Sequence, residues 1–225
     1  MNTEEFTHNK DLWFMANEDW PLLPYPIRKR KLVLLVPNPH HELLDCAGLL
    51  QQWAPLASET LIIYVTAGAA ARGFQDADQK ARWARLRRQE SVRAIKALEL
   101  DADIQICELD IPDSNIKTFE KHLEERLRLE LDPSCVVVAP YYKDGRADHD
   151  AIGDCAKRLA ASIGFEIYFF PILLWPCARP SSDKQGPGYF ARPALDDCQL
   201  NPTSSATGYF ENQIIAAQNS TVLVH

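Results

Sequence analysis

Long apolar runs are missing from this sequence, and the strongest stretches, such as Leu32 to Val36, are far too short to cross a bilayer, which takes about 20 residues. No transmembrane segment is expected. Met1 to Glu5 lacks the basic start and apolar run of a signal peptide, so secretion by the usual route is not expected. No C-x-x-C pair occurs among the six cysteines, Cys46, Cys107, Cys135, Cys155, Cys177 and Cys198. They read as reduced, mostly buried thiols of a cytoplasmic protein. Excess positive charge is absent too: the net charge is −7, and no stripe of Lys and Arg interleaved with aromatics exists beyond Arg28-Lys29-Arg30-Lys31. Nucleic acid is therefore not an expected partner. No G-x-G-x-x-G or Walker pattern follows any expected strand, which argues against a nucleotide-binding protein, and no internal repeat or H-E-x-x-H is present.

What the chain does have is an ordinary globular balance, 46% hydrophobic and 24% charged over 225 residues, which suits one well-filled domain. Residues 1–30 carry Trp13, Trp20, Pro21, Pro24 and Pro26 without periodicity and read as an irregular N-terminal arm; residues 31–225 read as one domain. Within it, Lys31 to Val36 is a short continuous apolar run, as a strand buried on both faces should be. The signature recurs at Thr60 to Val65, Ile104 to Cys107, Cys135 to Ala139 and Phe165 to Phe170, with a last strand-like stretch at Ser220 to Val224. Between the runs lie helical patterns: Trp83, Leu86, Val92, Ile95 and Leu98; then Ile116, Phe119, Leu123 and Leu127; then Ile152, Leu159 and Ile163. Alternation of this kind predicts an α/β, Rossmann-like fold, a mostly parallel sheet flanked by helices on both faces. The Pro, Gly and Ser content of 176–197 predicts a flexible flap.

Ligands in such a fold belong at the carboxyl ends of the strands. Two clusters fall there: Asn38-Pro39-His40-His41-Glu42 after the first strand and Asp144 to His149 after the fourth. His40, His41 and His149 are three imidazoles near one crevice, a candidate metal site, since neutral imidazole ligates Zn²⁺ well. Plainer roles exist. Glu42 in a first helical turn complements the macrodipole, and Asp148 and the histidines could serve as caps or loop lining.

The segment Leu34 to Gly48 resembles the opening motif of the PIG-L/LmbE-like de-N-acetylases, A-H-P-D-D-E-x-L-G-C-G-G, with Pro39, Glu42, Leu44, Cys46 and Gly48 in matching slots. Val65-Thr66-Ala67-Gly68 resembles that family's T-D-G turn, and Arg87-Arg88-Gln89-Glu90 with Ala94 and Leu98 is similar to its R-x-x-E helix. Asp144 to His149, followed by Gly153, resembles its H-x-D-H segment, so the likeness runs over roughly residues 31–170. The resemblance implies zinc, or a similar divalent metal, and hydrolysis of the N-acetyl group of an amino-sugar conjugate. It places His149 in a metal-ligand slot and His41 in the slot of another. Asn38 stands in the slot of the first ligand, His40 in that of the general base, and Arg146 in that of the oxyanion-steadying histidine. Asp148 matches and could orient an imidazole.

The mechanism so implied is attack of an activated water on the acetyl carbonyl. His40 or Glu42 takes the proton, an unperturbed imidazole titrating at about 6.5, and Arg146 and the metal hold the oxyanion. Asn38 and, from the flap, Tyr189 would contact the sugar. The altered slots leave a second reading open, a catalytically silent relative that binds a sugar or a protein partner. Neither reading excludes a homo-oligomer.

Overall fold

The computed structural model describes Ile27, residues 29–70 and 76–171, and the backbone of two strands nearer the C-terminus. In chain order these are β1 (Lys31–Val36), the single-turn helix α1 (His41–Leu44), α2 (Ala47–Trp53), β2 (Glu59–Tyr64) and α3 (Ala77–Ala97). They continue with β3 (Ile104–Glu108), a 3-10 turn (Ile116–Phe119), α4 (Glu120–Leu127), β4 (Val136–Pro140), α5 (Ala147–Ile163), β5 (Glu166–Phe170), β6 (Tyr189–Ala191) and β7 (Val222–Val224). The five core strands lie within one residue of the boundaries that the apolar runs predict.

The sheet runs β3-β2-β1-β4-β5-β7-β6, with β1 to β5 mutually parallel and β7 antiparallel to both its neighbours. Alternation along β1 explains why it occupies the middle of the parallel part. Leu32, Leu34 and Val36 join one core with Ile62, Tyr64, Val136 and Val138, while Val33 and Leu35 join the other with Ile63, Val137 and Ala139. The first face is covered by α1, α2 and α3 through Leu43, Leu50, Trp53, Ala94 and Ile95. Helices α4 and α5 cover the second through Leu123, Leu127, Ile152, Cys155 and Leu159. Each such aliphatic side chain removed from water stabilises the fold by about 1.5–3 kcal/mol. β3, at the edge of the sheet, has no fully buried residue.

Local chemistry sets the ends of these elements. Asp76 caps α3 by accepting from the amides of Asp78 and Gln79 at 3.3 and 3.1 Å. α5 stops at Gly164, whose φ of 94° is left-handed, with its amide on the Ala160 carbonyl. The basic cluster before β1 is partly structural: Arg30 donates to the Ser134 and Cys135 carbonyls and pairs with Glu166 at 2.5 Å, while Lys31 pairs with Glu59 at 3.0 Å. Cys46, Cys107, Cys135 and Cys155 are unpaired thiols. No helix among the described residues is long and apolar enough to cross a membrane.

From β1 the chain steps outward to β2 and β3 with its helices on one face, then returns to β4 and β5 with its helices on the other. The reversal falls between β1 and β4, and the crevice at their carboxyl ends is the place where such sheets bind ligands. The 37–42 and 141–149 loops both enter it. Most of the N-terminal arm lies outside the described residues. So does the 176–197 segment, apart from the backbone of Tyr189–Ala191, and the side chain of Tyr189 is not described.

Candidate active site

The loop leaving β1 is held in an uncommon shape from below and from the side. His40 adopts φ 106°, a conformation that costs a non-glycine residue about 1–3 kcal/mol unless its surroundings enforce it. Glu42, wholly buried, accepts the His40 amide on Oε2 at 2.9 Å and the Ser91 hydroxyl on Oε1. Ser91 has one proton to give, so the Tyr64 hydroxyl, 2.8 Å away, donates to it. Burial raises the pKa of Glu42, against the downward pull of the Ser91 and His40 hydrogen bonds.

From α3, Arg87 grips the same loop. One guanidinium nitrogen reaches Asn38 Oδ1 and the Pro39 carbonyl at 2.8 Å each and His40 Nδ1 at 3.2 Å; the other donates to the Gly68 carbonyl at 3.3 Å. Arg87, Glu90 and Ser91 are spaced three and four residues apart, which puts them on one face of α3. Gly68, at φ 66°, makes room, because a Cβ there would lie 2.6 Å from Arg87 Nη1. A guanidinium only donates, so His40 Nδ1 accepts, and its proton sits on Nε2, 3.4 Å from Glu90.

The three candidate imidazoles divide. His40 turns to Arg87 and Glu90, whereas His41 and His149 meet edge to face with ring centroids 5.4 Å apart. His41 Nδ1 lies 2.7 Å from Asp45 Oδ2, and His149 Nδ1 lies 2.8 Å from Asp144 Oδ2. Burial lowers the pKa of His149 and outweighs the upward effect of Asp144, so the ring is neutral at neutral pH.

The spacing of this pair is compatible with a shared divalent ion. With zinc–nitrogen bonds of about 2.0–2.1 Å at a tetrahedral angle, two imidazoles on one ion have ring centres roughly 5–5.5 Å apart. The observed 5.4 Å meets that demand. Among the described residues no group of three His, Cys, Asp or Glu side chains is placed to hold a metal, and the oxygen of Asn38 is engaged by Arg87. His41 and His149 are thus the two imidazoles near enough to each other to share an ion.

Several residues that the sequence singles out have different surroundings from those expected. His40 was to titrate near neutrality, yet burial first, and then the charges of Arg87 and His41, push its pKa down to about 3. A base that weak takes up little proton at neutral pH. Glu42 has both oxygens engaged beneath the loop, which makes it a brace for His40. Asp148 accepts the amides of Ser114 and Ile116 at 2.7 and 3.2 Å, tying α5 to the 3-10 turn, and the carboxylate on His149 is Asp144 instead. Arg146 is exposed at the N-cap of α5, where its charge helps to lower the His149 pKa.

From the sequence alone Asp45 and Ser91 are not singled out, and Asp144, Arg87 and Glu90 lie in motifs without a task of their own. Asp45 carried a usable signal, being four residues after His41 and so on the same side of a helical turn. Asp144 did not, because the turn at Gly145, with φ 91°, is what folds it back on His149.

A mostly parallel sheet with helices on both faces makes the chain an α/β protein, and two carboxylate-backed imidazoles stand at its switch point as the candidate site. Residues 33–160 match the PIG-L family, GlcNAc-PI de-N-acetylase, and the chain belongs to that family of de-N-acetylase-like hydrolases. No curated protein matches the sequence significantly. Among solved structures, the chain is similar to the N,N'-diacetylchitobiose deacetylase from Pyrococcus horikoshii, with 20% identity, a TM-score of 0.57 and 95% of this chain and 82% of that one covered. It is similar also to a teicoplanin deacetylase solved in a zinc-inhibited form, at 16% identity and a TM-score of 0.58, covering 81% and 84% of the two chains. A 4-carboxy-2-hydroxymuconate hydratase from Pseudomonas putida KT2440 shares the fold as well, at 16% identity and a TM-score of 0.54, with 84% and 82% covered. Such likenesses are of fold, and a fold hosting a hydratase leaves the reaction to the site.

Proposed function

We propose that the crevice removes an N-acetyl group from an amino-sugar conjugate by metal-assisted hydrolysis, with His41 and His149 as the residues that would hold zinc or a similar divalent ion. The observation that carries this reading is the pair of imidazoles 5.4 Å apart in the crevice of a PIG-L family chain. An ion held there would supply Lewis acidity and lower the pKa of water. The rest of the chemistry falls to side chains. His149, neutral through burial, keeps a lone pair available at neutral pH. Arg146 offers a fixed cation to the carbonyl oxygen as negative charge builds on it. Asn38, its oxygen engaged by Arg87, keeps its amide NH₂ to donate to a sugar hydroxyl. Tyr189 is assigned to the sugar ring on the sequence alone. In the overall balance water gives its hydroxyl to the acetyl carbon, the C–N bond breaks, and a proton passes to the departing nitrogen, leaving acetate and a free amine. The unpaired thiols suit a reducing compartment, and we place the protein in the cytoplasm.

The second reading, a silent relative that binds a sugar or a protein, draws on the Arg87–Asn38 bond and on the low pKa of His40. One assay separates the two. The zinc-loaded full chain is incubated with N-acetylglucosaminyl-phosphatidylinositol and with diacetylchitobiose, and amine and acetate are quantified. Equimolar release that His149→Ala abolishes supports the hydrolase. Sugar binding without release supports the silent relative.

A further inference from the structure

We propose that Asp45 is the positioning residue of His41, fixing its proton on Nδ1 so that the Nε2 lone pair is presented to the crevice, as Asp144 does for His149. The inference rests on the two-imidazole reading above and deepens it. Carboxylates on the far nitrogens of ligating imidazoles set tautomer, ring orientation and basicity, and removing one typically costs about 10–100-fold in metal affinity.

Three observations carry it. The distances match, 2.7 Å for His41–Asp45 and 2.8 Å for His149–Asp144. Neither pair is an exposed ion pair of the kind that contributes little: the side chains of His41 and Asp45 are 13% and 10% exposed, those of His149 and Asp144 3% and 0%. In both rings Nδ1 is taken by the carboxylate, so the nitrogen away from it, Nε2, is the one that can face a ligand. In neutral imidazole one nitrogen carries the proton and the other the lone pair, and an ionised carboxylate can only accept. The proton therefore goes to Nδ1.

The motif pattern adds a reason for Asp45 to be acidic. Where that pattern has D at the His41 slot it has G at the Asp45 slot, so two departures meet in one hydrogen bond. A neutral imidazole backed by a carboxylate carries the same single negative charge as one ligating carboxylate. The pair substitutes for the aspartate as a unit, with Asp45 supplying the charge and His41 the donor atom. α1 makes this possible because its single turn places residues 41 and 45 on the same side.

The test uses the full chain. In its metal-free form, two-bond ¹⁵N–¹H correlation spectra at pH 8 are expected to show His41 with its proton on Nδ1. Asp45→Ala should move the proton to Nε2, and Asp45→Asn, whose amide oxygen still accepts, should leave it on Nδ1. A purely structural role for Asp45 would not move this signature. By calorimetry, zinc affinity should fall about 10–100-fold in Asp45→Ala and less in Asp45→Asn. Asp45→Gly and His41→Asp should each weaken binding alone, while the double substitution recovers much of the loss. Parent protein with the His41 proton on Nε2, or a tautomer unchanged by Asp45→Ala, overturns the inference; should the Ala variant fail to fold, the parent spectrum still decides. A tautomer that follows Asp45 in a parent that binds no zinc upholds the positioning role and overturns the metal reading instead.

Discussion

At His40, backbone strain and electrostatics act on one side chain. Its pKa of about 3 against an ordinary 6.5 means that the folded protein refuses a proton which the unfolded chain accepts. Between those two values stability therefore falls as pH is lowered, by about 1.4 kcal/mol per pH unit at most, and above 6.5 the contribution is constant. Glu42 works in the opposite sense, since its raised pKa makes protonation favour the folded state, but its effect cancels between variants. His40→Asn, an uncharged residue that tolerates positive φ, is expected to lose less stability than the parent as pH drops from 7 to 4.5 in urea denaturation. Parallel curves would place the acid sensitivity elsewhere. Gly68 tests the other side of the loop. In Gly68→Ala the new Cβ meets Arg87 Nη1 at 2.6 Å and Cζ at 3.0 Å, and the left-handed backbone adds about 1–2 kcal/mol of strain. A loss of about 1–3 kcal/mol is expected, with His40 gaining a higher pKa by NMR titration as Arg87 is pushed away.

At the scale of the element, α5 is the part whose placement matters most to the site, because it carries His149 in its first turn and Gly153 one turn further on. A Cβ on Gly153 would lie 2.5 Å from the Pro140 carbonyl oxygen and 2.7 Å from the Tyr142 nitrogen. Those are backbone atoms and cannot swing aside, so Gly153→Ala must lift the helix from the end of β4. The expected cost is about 1–3 kcal/mol, read as a lowered Tm, with weaker zinc binding because His149 moves away from His41. Unchanged zinc affinity beside a lowered Tm would show that the α5 N-terminus is held independently, through the Asp148 bonds to Ser114 and Ile116. Elements also show where sequence reading succeeds. After their polar first residues β1 and β2 are buried throughout, as is all of β4, because helices cover both faces, so the apolar runs Leu32 to Val36, Leu61 to Tyr64 and Val136 to Ala139 stand out in any window. α1 did not stand out. Four residues carry no periodicity, and its start depends on the His40 conformation that Glu42 and Arg87 enforce from elsewhere.

For the whole molecule, the strand order implies a gradient of stability. β1 and β4 sit inside the parallel sheet, fully or nearly fully buried, whereas β3 is an edge with half-exposed residues. Native-state amide exchange should then give β1 and β4 protection near the global unfolding free energy and β3 protection lower by about 1–3 kcal/mol. Equal protection across the sheet would mean that the edge opens only with the core. Such a rigid floor suits the crevice above it, since loops that hold a site keep their geometry when the strands beneath do not open.

The sequence by itself determined the α/β alternation, the core strands to within a residue, and the two strand-end loops where chemistry belongs. These follow from burial and period, properties that each short segment carries alone. The family was legible for the same reason, as its motifs are contiguous. Only the tertiary structure decided which histidines lie together. His41 and His149 are 108 positions apart and meet because β1 and β4 are neighbours, while His40, adjacent to His41 in sequence, is turned to the opposite side by Arg87 and Glu90 on α3. The proton on each ring was decided there too. A pKa or a tautomer depends on which groups lie within a few ångströms, and Arg87, Asp45 and Asp144 take those positions only once the chain has folded.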